Sequence, residues 1–374
     1  MRDRPRLEVG HRPRLGRGAT LTAASLLADR WRREGDPGER IGIILPPGTT
    51  CFFASLALVL AGKVPVFLPV GGPALTADGL KLHGIRRLLT ARPIAEMLPN
   101  FPEGFAHTYV EEELGKLGPG PILRRRALIA FCPTALLRRL LRAPRADAEN
   151  GAWGFAGATG EFRFMSGAAT LANAAQIAEF ALFAPGDRLL PLVRPDLPGG
   201  AMLGIWFPLL HGVNTALPPA LIDADVVRRM LAACDPTVVA GDATGARLLA
   251  CAEGVGSPRA FLAFGDLGGA DAERELRDSL GEIGCALAPA FPDPETGALL
   301  ALSMPHPVTP TGADPQIGWR EGARGRLLPG FAFRQSDGGT AGFYGAPLGD
   351  DWVRVGDLGG RDADGFVTPS APAD

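Results

Sequence analysis

Residues 162–170, which read FRFMSGAAT, are the first stretch of the sequence whose residue types suggest chemistry. A strand-like apolar run leads into Ser166 and Gly167, as at the start of many phosphate-binding loops. Such loops then add further glycines and a lysine, whereas here a helical pattern, LANAAQIAEFALF, follows almost at once. Two interpretations are open: a nucleotide loop that has lost its middle, or an ordinary strand-to-helix turn.

Lysine is scarce in this chain, and its scarcity limits the chemistry. Of 38 basic residues only Lys63, Lys81 and Lys116 are lysines, and none follows position 116. A coding bias accounts for the ratio, but arginine keeps its proton and does not replace a compact ammonium group. Mechanisms that need a lysine from the later part of this sequence are therefore excluded.

The other chemically reactive residues form no recognisable motif. The histidines lack metal-ligand spacing, and Ser166 has no GxSxG elbow, so a zinc site and a hydrolase nucleophile are not expected. The cysteines have no CxxC pair, which argues against both a disulfide framework and zinc, and we expect buried free thiols. The cysteines are Cys51, Cys132, Cys234, Cys251 and Cys285.

Composition indicates a globular protein. The 374 residues are 46% hydrophobic, which is enough to bury a sizeable core. The formal net charge of −2 argues against a nucleic-acid binder, because such proteins present a basic surface. No apolar run is long enough to span a bilayer, and the charged N-terminus has no apolar region after it, so we expect a cytoplasmic protein.

Strand-like runs alternate with helical patterns along the chain, which predicts an α/β fold with parallel sheets covered by helices. The length favours two such layers. We expect a first α/β subdomain at 1–111, a basic amphipathic linker helix at 112–151, a second α/β subdomain at 152–318 that contains the phosphate-loop remnant, and a β-rich C-terminal region at 319–374.

The predicted linker carries seven arginines beside Leu, Ile, Phe and Ala. A basic amphipathic helix of this kind either lies on an anionic membrane surface or packs as a solvated linker on the main domain. Both interpretations stay open, and the first predicts peripheral contact with the inner membrane face through residues 121–145. The arginines are Arg124, Arg125, Arg126, Arg138, Arg139, Arg142 and Arg145.

Several segments, in order along nearly the whole chain, resemble the adenylate-forming superfamily of acyl-CoA and acyl-carrier-protein synthetases. They include GERIGIILPPGTTCFFASLALVLAGKVPVFL, FRFMSG, GIWFPLLHGVNTALPP, PTVVAGDATGARLL, AFLAFGDLGG and WVRVGDLGGRDADGF. The likeness is greatest to the acyl-carrier-protein synthetase half of 2-acylglycerophosphoethanolamine acyltransferase fusions. It implies the adenylate-forming large domain, with two stacked α/β subdomains and a short, partly β C-terminal region.

The resemblance implies a nucleotide site and an acyl pocket at named positions. Nucleotide-binding positions fall at Ser166, Gly167, Gly265, Asp266, Phe291, Glu295 and Asp357. Acyl-pocket positions fall at Arg194, Gly204 and Trp206. Phe291 matches the tyrosine that stacks on adenine, Glu295 the magnesium ligand, and Asp357 the ribose-binding aspartate.

The sequence also departs from the family pattern in three places. Met165 replaces the first threonine of the phosphate loop, and the loop lysine is missing. In the motif Tyr-Gly-x-Thr-Glu, which aligns to residues 291–295, Pro294 replaces the threonine, although a plain Pro-rich turn is an equally good interpretation of FPDPETG. The sequence ends before the hinge and the lysine-bearing cap domain of the family, and no residue is proposed in place of that lysine.

These observations favour an acyl-activating-enzyme homologue with impaired catalysis that binds an acyl chain, a nucleotide, or a partner acyltransferase or carrier protein. The alternatives are an active synthetase, which would use ATP, AMP and Mg²⁺ to form an acyl adenylate and then a thioester, and a structural interaction protein. An active enzyme would be an acid–thiol ligase. The other interpretations are compatible with no cofactor, and none of the three involves nucleic acid.

Overall fold

The computed structural model describes most of the chain and divides it into two compact units. Unit 1 comprises Met1–Gly167 with Pro219–Leu221, and unit 2 comprises Ala168–Pro218 with Ile222–Asp374. The described residues are 6–9, 12–69, 76–98, 101, 105–141, 151–156, 161–180, 183–184, 186–219, 222–252, 256–304, 318–335, 341–354 and 358–369.

Unit 1 alternates short strands with helices. Its strands are β1 (Arg6–Val9), β2 (Arg12–Gly16), β3 (Arg40–Ile44), β4 (Val64–Phe67), β5 (Ile85–Thr90), β6 (Ala106–Tyr109), β7 (Gly151–Ala156) and β8 (Phe162–Ser166). Its helices are α1 (Arg17–Trp31), α2 (Thr49–Leu60), α3 (Ala77–Leu82), α4 (Arg92–Met97), α5 (Val110–Gly115), α6 (Pro119–Phe131) and α7 (Thr134–Leu140).

Six of these strands form one sheet in the order β6-β5-β3-β4-β7-β8. The pairs from β6 to β7 are parallel, and only β7–β8 is antiparallel. The central strand β3 is buried from Ile41 to Ile44, as expected for a parallel strand covered on both faces. Gly42 lets the Leu88 side chain pack closely on the strand, since a Cβ atom there would lie 2.6 Å from its terminal methyl group.

The structure places residues 151–166 with the first sheet, whereas the sequence pattern grouped residues 152–318 together. β7 pairs in parallel with β4 through Val66 and Phe67, and β8 pairs with β7. The pattern correctly indicated a strand followed by a helix. Apolar periodicity reveals which face of a strand is buried, but it does not reveal which strand lies beside it.

The predicted linker helix is three helices in the structure: α5, α6 and α7. Cys132 and Pro133 separate α6 from α7, because proline removes a backbone donor and disfavours helical geometry in the residue before it. α5 packs closely on α1, where Arg30 forms an ion pair of 2.6 Å with the buried carboxylate of Glu113. Residues 142–150 lie outside the described part of the chain.

Lys63 is buried in unit 1 with its charge fully compensated. Its Nζ atom donates to the backbone oxygens of Glu34 and Asp36 at 2.8 and 2.9 Å, and to Glu39 Oε2 at 2.7 Å. Only 4% of Lys63 is exposed. A buried ammonium group is tolerated when its three protons are paired in this way.

Unit 2 contains the remaining elements. Its helices are α8 (Gly167–Glu179), α9 (Phe207–His211), α10 (Ala224–Cys234), α11 (Ala243–Ala250) and α12 (Ala270–Glu282), with a π-helical segment at Met202–Trp206 and a 3₁₀ turn at Ala346–Leu348. Its strands are β9 (Arg188–Pro191), β10 (Asn214–Leu217), β11 (Val238–Gly241), β12 (Ala260–Ala263), β13 (Ala286–Pro292), β14 (Leu299–Leu302), β15 (Gly325–Leu327), β16 (Ala332–Gln335), β17 (Ala341–Gly345), β18 (Gly349–Arg354), β19 (Leu358–Arg361) and β20 (Phe366–Pro369).

The main sheet of unit 2 changes character along its width. Its strands run in the order β19-β20-β15-β14-β13-β12-β11-β9-β10. The strands from β10 to β13 are parallel, and those from β13 to β19 are antiparallel. A separate antiparallel sheet, β16-β17-β18, lies in the C-terminal region. The α/β class with a partly β C-terminal region is therefore confirmed.

Helices α10 and α11 have the N-caps that their sequences predict. Asp223 Oδ1 accepts from the Val226 amide at 2.7 Å, and Asp242 Oδ1 accepts from the Gly245 amide at 3.0 Å. Both helices bury their apolar faces in one core with β11 and β12, which includes Val227, Leu249 and Phe261.

The cysteines differ in exposure, which corrects the expectation that all are buried. Cys51, Cys234 and Cys285 are buried, Cys132 is half-buried, and Cys251 is exposed. Cys251 follows the last turn of α11, beyond the face that contacts the core. No helix among the described residues is long and apolar enough to cross a membrane.

Candidate functional site

The parallel strands of unit 2 bring several candidate residues to one edge of the sheet. Strands β9, β11, β12 and β13 are neighbours and point the same way, so the segments that follow them leave the sheet at a common edge. In open α/β sheets, ligands bind beyond the carboxyl ends of the strands. Arg194 follows β9, Gly265 and Asp266 follow β12, and Phe291 and Glu295 lie at the end of β13 or just beyond it.

Arg194 is paired within its own loop. Its Nε donates to Asp196 Oδ1 at 3.2 Å, and its guanidinium also contacts Asp196 Oδ2. Asp196 is only 6% exposed, and its hydrogen bond raises the pKa of Arg194 above the ordinary value. A carboxylate or phosphate ligand would therefore have to compete with Asp196 for this arginine.

The loop after β9 is folded tightly against the end of β13. Gly199 has φ of +73°, and a Cβ atom there would lie 2.9 Å from the Cβ of Pro292 and 3.0 Å from the Phe264 ring. At Gly200 a Cβ atom would lie 2.0 Å from the Arg194 carbonyl oxygen. These two glycines let three strand ends approach one another closely.

Gly265 and Asp266 form an exposed turn after β12. Gly265 has φ of +75°, which favours glycine, and nothing lies within 4 Å of the position a Cβ would occupy. Asp266 Oδ1 accepts from the amides of Gly268 and Gly269 at 2.9 and 3.3 Å. The carboxylate of Asp266 thus shapes the loop in this structure.

The segment 291–297 is a turn organised by Asp293, a residue to which the sequence comparison assigned no function. Asp293 is fully buried, and its carboxylate accepts from the Thr296 amide at 3.0 Å and the Thr296 hydroxyl at 2.6 Å. Phe291 is half-buried, while Pro294 and Glu295 are exposed. The signal for this turn was present in the sequence, because Asp followed by Pro and Gly favours such turns.

Gly204 and Trp206, the predicted acyl-pocket positions, are buried in the π-helical segment Met202–Trp206. A Cβ atom at Gly204 would be in ordinary contact with Pro191 at 3.5 Å. Single π-helical turns occur often at functional sites, although they are rare overall. In the sequence, Arg194 precedes the closely packed Gly199 and Gly200, and this segment follows them.

Strand β8 passes directly into α8, with Ser166 as the last strand residue and Gly167 as the first helical residue. No residue separates the two elements. Further along α8, the buried side chain of Asn173 is paired with the backbone of Leu299 in β14, donating to its oxygen and accepting from its amide, both at 2.9 Å. This pair fixes the helix to the sheet of unit 2.

Asp357 lies outside the described residues, whereas Asp362 and Gly365, farther along the same sequence segment, are described. Asp362 Oδ1 accepts from the amides of Asp364 and Phe366 at 3.0 and 2.9 Å, and Arg320 forms ion pairs with Asp362 and Asp364. These contacts close the turn between β19 and β20.

Two carboxylates of the turn after β13, Asp293 and Glu295, differ in their surroundings. Within the described ranges, no three His, Cys, Asp or Glu side chains are grouped so that they could hold a metal ion. The carboxylate of Glu295 lies on the exposed side of this turn, whereas that of Asp293 is buried and accepts hydrogen bonds from Thr296.

Comparison with solved structures relates this fold to known enzymes, whereas no protein-family model matches the sequence. A nonribosomal peptide synthetase superposes with a TM-score of 0.73 at 14% identity, over 98% of this chain and 40% of its own. A benzoate CoA ligase from Burkholderia xenovorans LB400 gives 0.73 at 17% identity, over 97% and 76%.

The O-succinylbenzoate CoA synthetase from Bacillus subtilis, solved in complex with AMP, gives a TM-score of 0.69 at 14% identity, over 98% of this chain and 94% of its own. The chain thus spans less than half of the peptide synthetase but most of the benzoate CoA ligase and of the O-succinylbenzoate CoA synthetase. The TM-scores of 0.69 to 0.73, at identities of 14 to 17%, show a common fold. The chain has the fold of the adenylate-forming enzymes.

Proposed function

We propose that this chain is an acyl-activating-enzyme homologue that binds AMP or an acyl chain and forms acyl adenylates far more slowly than a working synthetase. The observation that carries the proposal is the direct passage of β8 into α8 at Ser166 and Gly167, on an adenylate-forming fold. In the adenylate-forming superfamily that the sequence resembles, this junction carries a loop of Ser, Thr and Gly and a lysine. The junction therefore does not fit a triphosphate.

Two further features support slow turnover. Pro294 stands where the resemblance expects a threonine hydroxyl, and the adjacent Asp293 carboxylate is engaged by Thr296. Each lost transition-state donor typically costs about 10²- to 10³-fold in rate. Losing both the loop lysine and the threonine is therefore expected to reduce adenylation below a useful rate.

The residues that still match the family pattern are suited to binding a nucleotide and an acyl chain. The half-buried ring of Phe291 can stack on an adenine, and Gly265 leaves open space after the neighbouring strand β12. Mg²⁺, if it accompanied a nucleotide, would offset phosphate charge, and we assign Glu295 as its carboxylate ligand. The acyl pocket would be built from Arg194 and the segment around Gly204 and Trp206. A lipid-pathway acyltransferase or carrier protein would be the physiological partner.

The test combines turnover with binding. Purified protein is mixed with ATP, Mg²⁺ and fatty acids of graded chain length, pyrophosphate release is followed, and calorimetry measures binding of AMP and a non-hydrolysable acyl-adenylate analogue. We expect binding without turnover. Pyrophosphate release at ordinary rates, about 1 to 10³ s⁻¹, would instead establish an active synthetase. Binding of neither ligand would leave a structural interaction protein.

A matched pair of variants locates the adenine site. Phe291→Leu removes the ring that we assign to adenine, and base–aromatic stacking of this kind is worth about tenfold in affinity. Phe333→Leu is the control, because Phe333 is also half-buried but packs edge-on against Phe343 in the separate β16-β17-β18 sheet. Equal AMP affinity in both variants would remove Phe291 from the site.

A further inference from the structure

The helices α6 and α7 present an exposed surface that is both apolar and basic. Of the eleven large hydrophobic side chains exposed in the described part of the chain, five lie on these two short helices. We use the name α6–α7 surface for one set of exposed side chains on these helices. The set comprises Leu123, Phe131, Leu136 and Leu140 together with Arg124, Arg126 and Arg139. Phe131 is 88% exposed and Leu123 is 71% exposed.

The opposite side of this helix pair is fixed to the body of unit 1. The partly buried Arg125 forms an ion pair with Asp29 of α1. Arg32, which follows α1, donates to the backbone oxygen of Leu141, just after α7, at 3.1 Å, and to that of Leu60 at 2.6 Å. The helices are therefore held by one face, and the α6–α7 surface is the other.

The spacing of residues on α6 separates apolar from basic side chains. Leu123, Ala127 and Ala130 follow one another at intervals of four and three residues, so they form one stripe along the exposed face. Arg124 and Arg126 lie on either side of that stripe at 100° per residue. On α7, Leu136 and Leu140 are one turn apart, with Arg139 beside them.

The charge of this region has a single sign. From residue 114 to residue 146 the sequence contains no Asp or Glu, although the whole chain has a formal net charge of −2. An apolar stripe bordered by arginines is suited to a bilayer surface. The apolar side chains enter the acyl boundary, while arginine stems lie along it and the guanidinium groups reach the phosphates.

We propose that the α6–α7 surface docks on an anionic phospholipid bilayer. A protein partner is the less suitable occupant, because the polar side chains of the α6–α7 surface are all arginines. The bilayer would hold the chain peripherally, with α6 and α7 parallel to the membrane plane. This inference is independent of nucleotide binding and of acyl activation.

Vesicle flotation tests the proposal with the whole chain. Vesicles of phosphatidylcholine alone are compared with vesicles that also contain phosphatidylglycerol. We expect binding to the anionic vesicles, and loss of that binding in high salt, because screening shortens the reach of surface charges. Binding that is equal on both vesicle types, or absent from both, would overturn the proposal.

Two variants separate the apolar and the electrostatic contributions. Arg124→Gln/Arg126→Gln/Arg139→Gln is expected to weaken binding to anionic vesicles roughly 100-fold, at about fivefold for each arginine. Leu123→Ser/Phe131→Ser is expected to abolish flotation while the salt-sensitive attraction remains detectable as weak sedimentation with anionic vesicles. Circular dichroism verifies that each variant is folded.

Matched controls replace equally exposed residues elsewhere. Leu82→Ser/Met97→Ser removes two side chains that are 84% and 59% exposed, and Arg86→Gln/Arg228→Gln/Arg274→Gln removes three exposed arginines. Both controls should bind vesicles as the unaltered chain does. If they lose binding equally, the α6–α7 surface has no specific role. If the unaltered chain does not bind vesicles but self-associates through this surface, the surface is a protein interface and the membrane proposal is wrong.

Discussion

At the residue scale, the turn after β13 contains a carboxylate that accepts a backbone hydrogen bond, although it lies within a segment expected to bind nucleotide. Asp293 is fully buried and holds Thr296 by two hydrogen bonds, so its neighbour Glu295 is turned to the exposed side. The alignment assigned roles to Phe291 and Glu295 by residue type alone. The hydrogen bonds between Asp293 and Thr296 could be identified only from the three-dimensional structure of the turn.

Replacing Asp293 should therefore destabilise the protein. We expect Asp293→Ala to lower the free energy of unfolding by about 2 to 3 kcal/mol, because the half-buried Thr296 would lose its charged acceptor for both the amide and the hydroxyl. Asp266→Ala removes a similar but exposed turn acceptor and should cost about 1 kcal/mol or less. Urea unfolding measures both, and equal losses would contradict the structural role given to Asp293.

The thiols should differ sharply in reactivity. Burial raises the pKa of Cys285 to about 12, so its reactive thiolate is scarce at neutral pH, whereas Cys251 is exposed. Labelling the native protein with a maleimide at pH 7.5 should modify Cys251 and spare Cys285 until denaturant is added. Peptide mass spectrometry identifies the modified sites, and early labelling of Cys285 would show that its core opens.

At the element scale, the strands were predictable and their neighbours were less so. Short apolar runs such as 41–45 and 237–241 indicated buried parallel strands. The assignment of β7 and β8 to the first sheet depends on pairing with β4, which no local pattern contains. The division of the linker at Pro133 was readable from the proline itself.

Two glycines with the same backbone geometry provide a test of how closely the strand ends pack. Gly199 and Gly265 both have φ near +75°, but only Gly199 has Pro292 and Phe264 within 3.0 Å of a Cβ atom. Gly265→Ala should cost about 1 kcal/mol of backbone strain, and Gly199→Ala about 3 kcal/mol, because steric overlap adds to the strain. Thermal and urea unfolding compare them, and similar losses would mean that the loop after β9 relaxes freely.

At the scale of the whole molecule, the fold and its proposed ligand are connected through stability. A ligand that binds only the folded state stabilises it by about 2.7 kcal/mol at a hundredfold excess over Kd. We expect AMP to raise the melting temperature of the full chain, and Phe291→Leu to reduce the rise to about half at the same AMP concentration, because a tenfold weaker Kd leaves only a tenfold excess of ligand. An undiminished rise in Phe291→Leu would place the nucleotide elsewhere.

The whole-molecule charge pattern was also readable from the sequence in part. Composition revealed an overall charge near neutrality, and the arginine-rich linker stood out within it. Which arginines are exposed and which is engaged by Asp29 depends on the packing of α6 against α1. One residue of the same run, Arg125, thus anchors the helix, while Arg124 and Arg126 remain on the surface.

The burial of Lys63 has a practical consequence for solution work on this protein. All three protons of its ammonium group are engaged, and lysine occurs otherwise only at positions 81 and 116, where the side chains are 64% and 48% exposed. Amine-directed cross-linkers and acylating reagents should therefore attach, within this sequence, at Lys81 and Lys116. Distances obtained from such cross-links will describe the first unit, and carboxylate- or arginine-directed reagents will be needed to map the second.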